Sequence, residues 1–287
     1  MKVRMVLEGG AFRGLFTAGV LDVLMENNIN VDEIVGVSAG ALFGVNYFTN
    51  QKGRVIRYNL KYCGQKRYMS AVSLVLTGNF INKKFTFYKI TKELDILDNE
   101  TFTKNNKPFY AVVTNVVTGK PEYKLIKNPI VDLEIFRATS AVPLASRFVK
   151  LDNKKYLDGG ISDSIPVYFH KDKYDKSIVI LTQPLGYKKK MLAKNNRRLI
   201  KLKYFKYPNL LKTMYNRHNA YNKVLKDIKE MEKNKEIFVI RPEKSLNISM
   251  NVKDKNKVKE IYDHGVEVGN KIIKDLKNYL EVEVCKK

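Results

Sequence analysis

Short, uninterrupted apolar runs alternate with longer stretches of helical period along the first 180 residues. That is the pattern of buried strands joined by packed helices. Val3–Leu7 reads as a first strand, and Leu15–Asn28 as a helix with Leu15, Ala18, Leu21, Val23 and Leu24 apolar. Asp32–Val37 and Ala39–Phe48 repeat the unit, so two glycine-containing turns are expected at one edge of a parallel sheet. Asn50–Thr101 has no clear period, and reads either as an insertion capping that edge or as an ordinary connecting layer. Its aromatic residues are expected in the core rather than against a ligand. Phe109–Thr118 is expected as a central strand with a hairpin partner at Glu122–Ile126. Leu133–Ala145 is helical as far as Pro143 permits, Arg147–Leu157 is a hairpin turning at Asp152-Asn153-Lys154, and Ser177–Thr182 is another buried strand. Lys188–Lys235 reads as basic helix broken near Pro208, Glu236–Ile240 as a last strand and Asp254–Leu280 as an amphipathic helix. With no Pro/Gly/Ser-rich linker and no repeat, the expectation is one α/β domain over residues 1–287, with helices on both faces of the sheet.

Composition narrows the class. The hydrophobic fraction is 44 %, enough for a substantial core, and no apolar run approaches the ~20 residues of a membrane-spanning helix. The start resembles a signal peptide only briefly, because Glu8 interrupts the apolar stretch. Cys63 and Cys285 make neither a disulfide framework nor a metal-ligand spacing, so a reducing, cytoplasmic setting is expected. The net charge of +24 is unusual. Lysine is densest in Lys188–Lys206 and Lys223–Lys235, which suits either an anionic lipid surface or a merely lysine-rich solvated face. No nucleic-acid-binding signature is present, and nucleic acid is not expected as a partner.

Two turns carry chemistry. Gly36-Val37-Ser38-Ala39-Gly40 has the layout of a nucleophile elbow, in which glycines admit close backbone approach or supply positive φ. Gly9-Gly10-Ala11-Phe12-Arg13-Gly14 places backbone N–H groups at a helix start. It suits a nucleotide phosphate, a structural turn or an oxyanion hole, although the phosphate-binding lysine and the dinucleotide spacing are absent.

A serine hydroxyl needs a base. His218 and His264 lie in lysine-rich or amphipathic helical patterns, His170 is expected at the surface, and the elbow follows the second strand rather than several strands, unlike an ordinary α/β-hydrolase. Asp158 is the alternative, followed by Gly159-Gly160. It is either a buried base with a raised pKa or a simple Asp-Gly turn.

Taken together, the Gly9–Gly14 loop, the Ser38 elbow and Asp158-Gly159-Gly160 resemble the patatin-like phospholipases. Thr114–Gly119, Arg137–Pro143 and Asp163–Val167 extend the resemblance, which covers about residues 3–182. It implies a three-layer sandwich with a mainly parallel central sheet and a Ser–Asp dyad. Ser38 would be the nucleophile and Asp158 the base. The oxyanion would rest on N–H groups from among Gly9, Gly10 and Ala11, with Arg13 holding the loop and adding positive potential. No metal or cofactor is implied. The expected reaction is hydrolysis of fatty acyl esters of glycerolipids or phospholipids, with peripheral contact to an anionic membrane through Lys188–Lys206. The competing readings are a catalytically silent lipid- or polyanion-binding protein and a nucleotide-binding protein.

Overall fold

The computed structural model describes residues 1–249 and 252–281; Cys285 lies outside them. Strand β1 (Val3–Leu7) leads through a 3-10 turn (Ala11–Arg13) into helix α1 (Gly14–Glu26), and β2 (Glu33–Val37) leads into α2 (Ala39–Phe48). Helices α3 (Arg54–Tyr62) and α4 (Ala71–Thr77), a π-helix (Lys83–Leu94) and α5 (Asn99–Asn105) follow. Next come β3 (Phe109–Asn115), β4 (Pro121–Ile126), α6 (Leu133–Thr139), β5 (Val149–Leu151), β6 (Lys154–Asp158) and β7 (Lys176–Ile180). The chain closes with α7 (Lys194–Tyr204), α8 (Pro208–Lys233), β8 (Phe238–Ile240) and α9 (Lys255–Glu281).

Among the described residues eight strands form one mixed sheet in the order β5-β6-β3-β2-β1-β7-β8, with β4 also on β3. The run β3-β2-β1-β7-β8 is parallel, while β4, β5 and β6 pair antiparallel. The protein is therefore an α/β sandwich with a mainly parallel centre. Strand alternation assigns the layers. Met5 and Leu7 join a core cluster with Leu15, Leu21, Phe43, Ile261 and Val268, so α1, α2 and α9 cover one face. Val6, Val35, Val37 and Val179 join Tyr221, Ile228 and Met231 of α8 on the other.

The order of pairing along β3 brings distant residues together. Strand β2 occupies one edge of β3 as far as the pair Val37↔Val112. Because β4 takes the opposite edge, β6 continues where β2 stops, ending at the pair Asp158↔Val113. The two strands meet tip to tip, so the residue after Val37 and the last residue of β6 become neighbours.

Helix α9 is fastened to α1 without intervening side chains. A Cβ on Gly19 would lie 2.2 Å from the Tyr262 carbonyl oxygen, and one on Gly265 would lie 2.1 Å from that of Phe16. Any larger residue at either position would force the helices apart.

Candidate active site

Ser38 stands at the junction of β2 and α2 with φ 52° and ψ −121°. That is a costly conformation for a residue with a Cβ, on the order of 1–3 kcal/mol. The flanking glycines supply room rather than positive φ. A Cβ on Gly36 would come within 2.7 Å of the Ala41 backbone, and one on Gly40 within 2.6 Å of the Leu7 carbonyl oxygen. The turn is thus pressed against β1, and the unusual φ falls on the serine, turning its side chain out of the strand. The Ser38 N–H donates to Thr139 Oγ1 at 2.9 Å, and Thr139 Oγ1 donates in turn to the Val112 carbonyl at 2.5 Å. Thr139 therefore ties the elbow to β3, a part not assigned from sequence although Arg137–Pro143 was singled out.

Ser38 Oγ donates to Asp158 Oδ2 at 2.8 Å. The other carboxylate oxygen accepts the Gly160 N–H at 2.7 Å, which fixes the rotamer. Thr114 Oγ1 donates to the Asp158 carbonyl at 2.8 Å, and the Asp158 N–H donates to the Ala141 carbonyl at 3.0 Å. Asp158 is consequently the anchored end of β6 and not a hairpin turn. The hairpin turns at Asp152 and Asn153, both at positive φ. Burial raises the Asp158 pKa above the ordinary carboxylate value, opposed by the Ser38 hydrogen bond, the positive charge of Arg217 and the Gly160 N–H. A buried carboxylate of raised pKa holding a serine proton is competent to accept that proton.

The glycine loop lies beside the serine. A Cβ on Gly9 would be 3.3 Å from Ser38 Cβ, and Ala11, at φ 47°, lines the same cavity as Ser38. The Gly9 N–H is directed at the Ser164 carbonyl over 3.4 Å, whereas the N–H groups of Gly10 and Ala11 have no hydrogen-bond partner among the described residues. Arg13 reaches Thr182 Oγ1 at 3.5 Å, tying the loop to the end of β7.

From Ser38 a mostly apolar cavity of about 120 Å³ runs between α2, α3 and the π-helix, past Phe12, Leu42, Phe43, Phe87 and Ile90. Segment 54–97 thus walls the site. Tyr58, Tyr68 and Phe87, expected purely as core, are buried and also line this cavity.

No histidine is a partner of Ser38. His170, expected at the surface, is only 20 % exposed in its side chain and shares a 2.8 Å hydrogen bond with Glu33 Oε2 at the opposite end of β2. His218 Nδ1 meets the Tyr215 carbonyl, and His264 packs on the Phe16 ring. Among the described residues no cluster of three metal-ligating side chains occurs.

Comparison with known proteins gives the family. The sequence profile described as patatin-like phospholipase matches residues 5–169. The chain belongs to that family. The family is one of lipid acyl hydrolases. A second profile, described as a domain of unknown function (DUF6363), matches residues 207–281, which hold α8, β8 and α9. The uncharacterized protein YjjU of Escherichia coli is 32 % identical over 185 residues, which are 63 % of this chain and 51 % of that protein. The chain therefore spans about half the length of that curated relative. The crystal structure of VipD from Legionella pneumophila aligns with 94 % of this chain and 67 % of its own, at 13 % identity and a TM-score of 0.41. No described helix is long and apolar enough to cross a membrane.

Proposed function

We propose that the protein is a serine lipid acyl hydrolase in which Ser38 is the nucleophile and Asp158 the general base. The observation that carries the reading is the 2.8 Å Ser38–Asp158 hydrogen bond at the mouth of an apolar cavity. Ser38 Oγ attacks the ester carbonyl carbon while its proton passes to Asp158 Oδ2. The free N–H groups of Gly10 and Ala11 receive the developing oxyanion. The carbon–alkoxide bond then breaks, and Asp158 gives its proton to the leaving alcohol. Water attacks the acyl-enzyme carbonyl carbon, Asp158 takes the water proton, and the proton returns to Ser38 Oγ as the fatty acid leaves. The acyl chain occupies the apolar cavity. The silent-binder reading has nothing comparable in its favour, because a strained serine and a buried carboxylate both cost stability without a reaction to serve.

The test is covalent labelling with a fluorophosphonate. Wild type is expected to label and Ser38→Ala to remain unlabelled; a wild type that stays unlabelled, or equal labelling of Ser38→Ala, overturns the assignment.

The same reading places the substrate in an anionic lipid surface. Helix α4 exposes Val72, Val75 and Leu76, and α7 and its end expose Leu199, Leu202 and Phe205 among Arg197, Arg198, Lys201 and Lys206. The loop between them lines the cavity at Val142. It meets the α4 side through Phe80 N–H to the Ala145 carbonyl, and α7 through Leu144 N–H to Tyr204 Oη. Apolar side chains flanked by cations suit the boundary of an anionic bilayer. Co-sedimentation with vesicles containing phosphatidylglycerol is expected to fall when Leu202 and Phe205 are changed to glutamate and when salt is raised. Binding insensitive to both would remove this part of the proposal.

A further inference from the structure

Three cations, none of them lining the apolar cavity, lie within electrostatic reach of one another around Lys189, and Arg217 among them stands beside Asp158. Arg13 comes from the glycine loop, and Lys189 and Arg217 from outside the segment that matches the family profile. Arg217, on α8, directs Nη2 to within 3.2 Å of where a Cβ on Gly160 would sit and 3.5 Å from Ser164 Oγ. Its Nε is buried with no hydrogen-bond partner among the described residues. Lys189 is clamped to α8 by a reciprocal pair of hydrogen bonds with Asn222, at 2.8 and 3.0 Å, and its Nζ lies 4.3 Å over the Tyr221 ring. Burial, then the charge of Arg217 and that of Arg13, push Lys189 down to about 8, against an upward pull from Glu8. Among the described residues none of the three makes an ion pair within 4.0 Å. Two acids stand near: Glu8 accepts from Tyr221 Oη and from the Thr182 N–H, each at 2.6 Å, and Asp158, which feels the charge of Arg217, accepts from Ser38 Oγ and the Gly160 N–H.

Like charges held together in a half-buried place repel each other and have lost part of their hydration. Three cations against two acids engaged elsewhere leave an excess of positive charge that an added anion would balance. Two guanidinium groups and an ammonium present the planar forks and the point charge that suit phosphate oxygens. We propose that Arg13, Lys189 and Arg217 form a subsite for a phosphate group, so that esters bearing a phosphate near the scissile carbonyl are preferred over uncharged ones. The preference rests on the Ser38–Asp158 reaction; the binding does not.

The experiment therefore has two arms. In the first, Ser38→Ala protein is titrated calorimetrically with inorganic phosphate and with glycerol 3-phosphate. Saturable binding is expected, weakened at least tenfold by Lys189→Gln and by Arg217→Gln in proteins whose circular dichroism is unchanged. Tighter binding of glycerol 3-phosphate identifies a lipid headgroup as the source, and equal or weaker binding identifies free phosphate, overturning the substrate half. Absence of saturable binding, or binding unaffected by both substitutions, overturns the subsite. In the second arm, kcat/KM is measured for a lysophospholipid and for a monoacylglycerol of the same chain. The ratio is expected to fall at least tenfold in Lys189→Gln, mainly through KM; an unchanged ratio overturns the headgroup preference. If wild type cleaves neither ester, the hydrolase reading fails while the first arm still decides the subsite.

Discussion

Strand β2 carries a hydrogen-bonded pair at each end, and the two pairs look alike on paper. At its N-terminal end Glu33 meets His170 at 2.8 Å; just past its C-terminal end Ser38 meets Asp158 at 2.8 Å. Both hold a buried carboxylate, and both include a residue at positive φ. The surroundings separate them. His170 sits at φ 55° and ψ 21°, the left-handed region that a non-glycine residue visits at modest cost, whereas Ser38 at ψ −121° lies outside it. The imidazole stacks on Phe169 at 3.8 Å and meets the Tyr110 ring edge-on. Beside it the fully buried Arg4, brought down to about 10 by burial, donates to Ser177 Oγ and to the Val167 and Phe169 carbonyls. These contacts hold segment 167–170 onto the sheet. At the other end the chain leaves a cavity, free N–H donors and a serine in a costly conformation. In a parallel sheet the carboxyl ends of strands are where loops open space for a ligand. The lesson is that a carboxylate paired with a proton-bearing group becomes a candidate for catalysis only where a void and strain accompany it.

The largest effect that would break this contrast is on turnover. Ser38→Ala and Asp158→Asn are each expected to reduce ester hydrolysis by about 10³-fold or more, since nucleophile and base are both lost as functions. His170→Ala is expected to stay within a few fold of wild type. Steady-state assays with p-nitrophenyl esters measure this, and a His170→Ala collapse with folding intact would move the base to the other end of β2.

Stability should respond with opposite signs. Removing the imidazole leaves Glu33 buried with its partner gone, a loss of about 1–3 kcal/mol, or several degrees in melting temperature. Asp158→Asn should instead raise the melting temperature at pH 7. The sign follows from linkage: a carboxyl whose folded pKa is raised favours the fold below its unfolded pKa near 4, and that contribution is lost as pH rises through the folded value. At neutral pH the Asp158 carboxyl is therefore a burden on the fold, and the gain from asparagine should vanish on going to pH 4. Calorimetric melts at the two pH values test both signs.

A finer effect concerns pH. Arg217 lowers the Asp158 pKa, so Arg217→Gln should move the acid limb of kcat/KM for an uncharged ester to higher pH. An unmoved limb would mean that another group controls it. Smallest of all, Ser38→Gly should be more stable than Ser38→Ala by about 1 kcal/mol, because glycine alone accepts the elbow conformation without strain. Urea denaturation of the two inactive proteins would reveal it, and equal midpoints would show that the elbow stores no strain.

What could be read from sequence follows from the same physics. The elbow, the glycine loop, the strands at 3–7, 33–37, 109–115 and 176–180 and the hairpin all announce themselves, because tight turns and buried strands accept few residue types. The cavity wall does not. A π-helix at 83–94 turns once in more than the usual number of residues, so Phe85, Phe87 and Ile90 bury without matching the α-helical period. Lys189 and Arg217 are hidden for a different reason. In stretches this rich in lysine, a half-buried cation in a cluster looks the same as one in solvent. Only neighbours in space tell them apart: Asp158 for Arg217, and Glu8 and Arg13 for Lys189.

The contact between Gly19 and Gly265 has a consequence for anyone cutting the gene. The unit that a family profile follows through evolution stops at residue 169, but the unit that holds the glycine loop steady continues. Helix α1 begins where that loop ends, and its far side is moulded to a helix encoded nearly 250 residues later. A shortened chain keeping every recognisable motif would still lack the surface against which its first helix was shaped. Methyl groups at positions 19 and 265, remote from any ester, are thus among the smallest changes able to disturb where an oxyanion would sit.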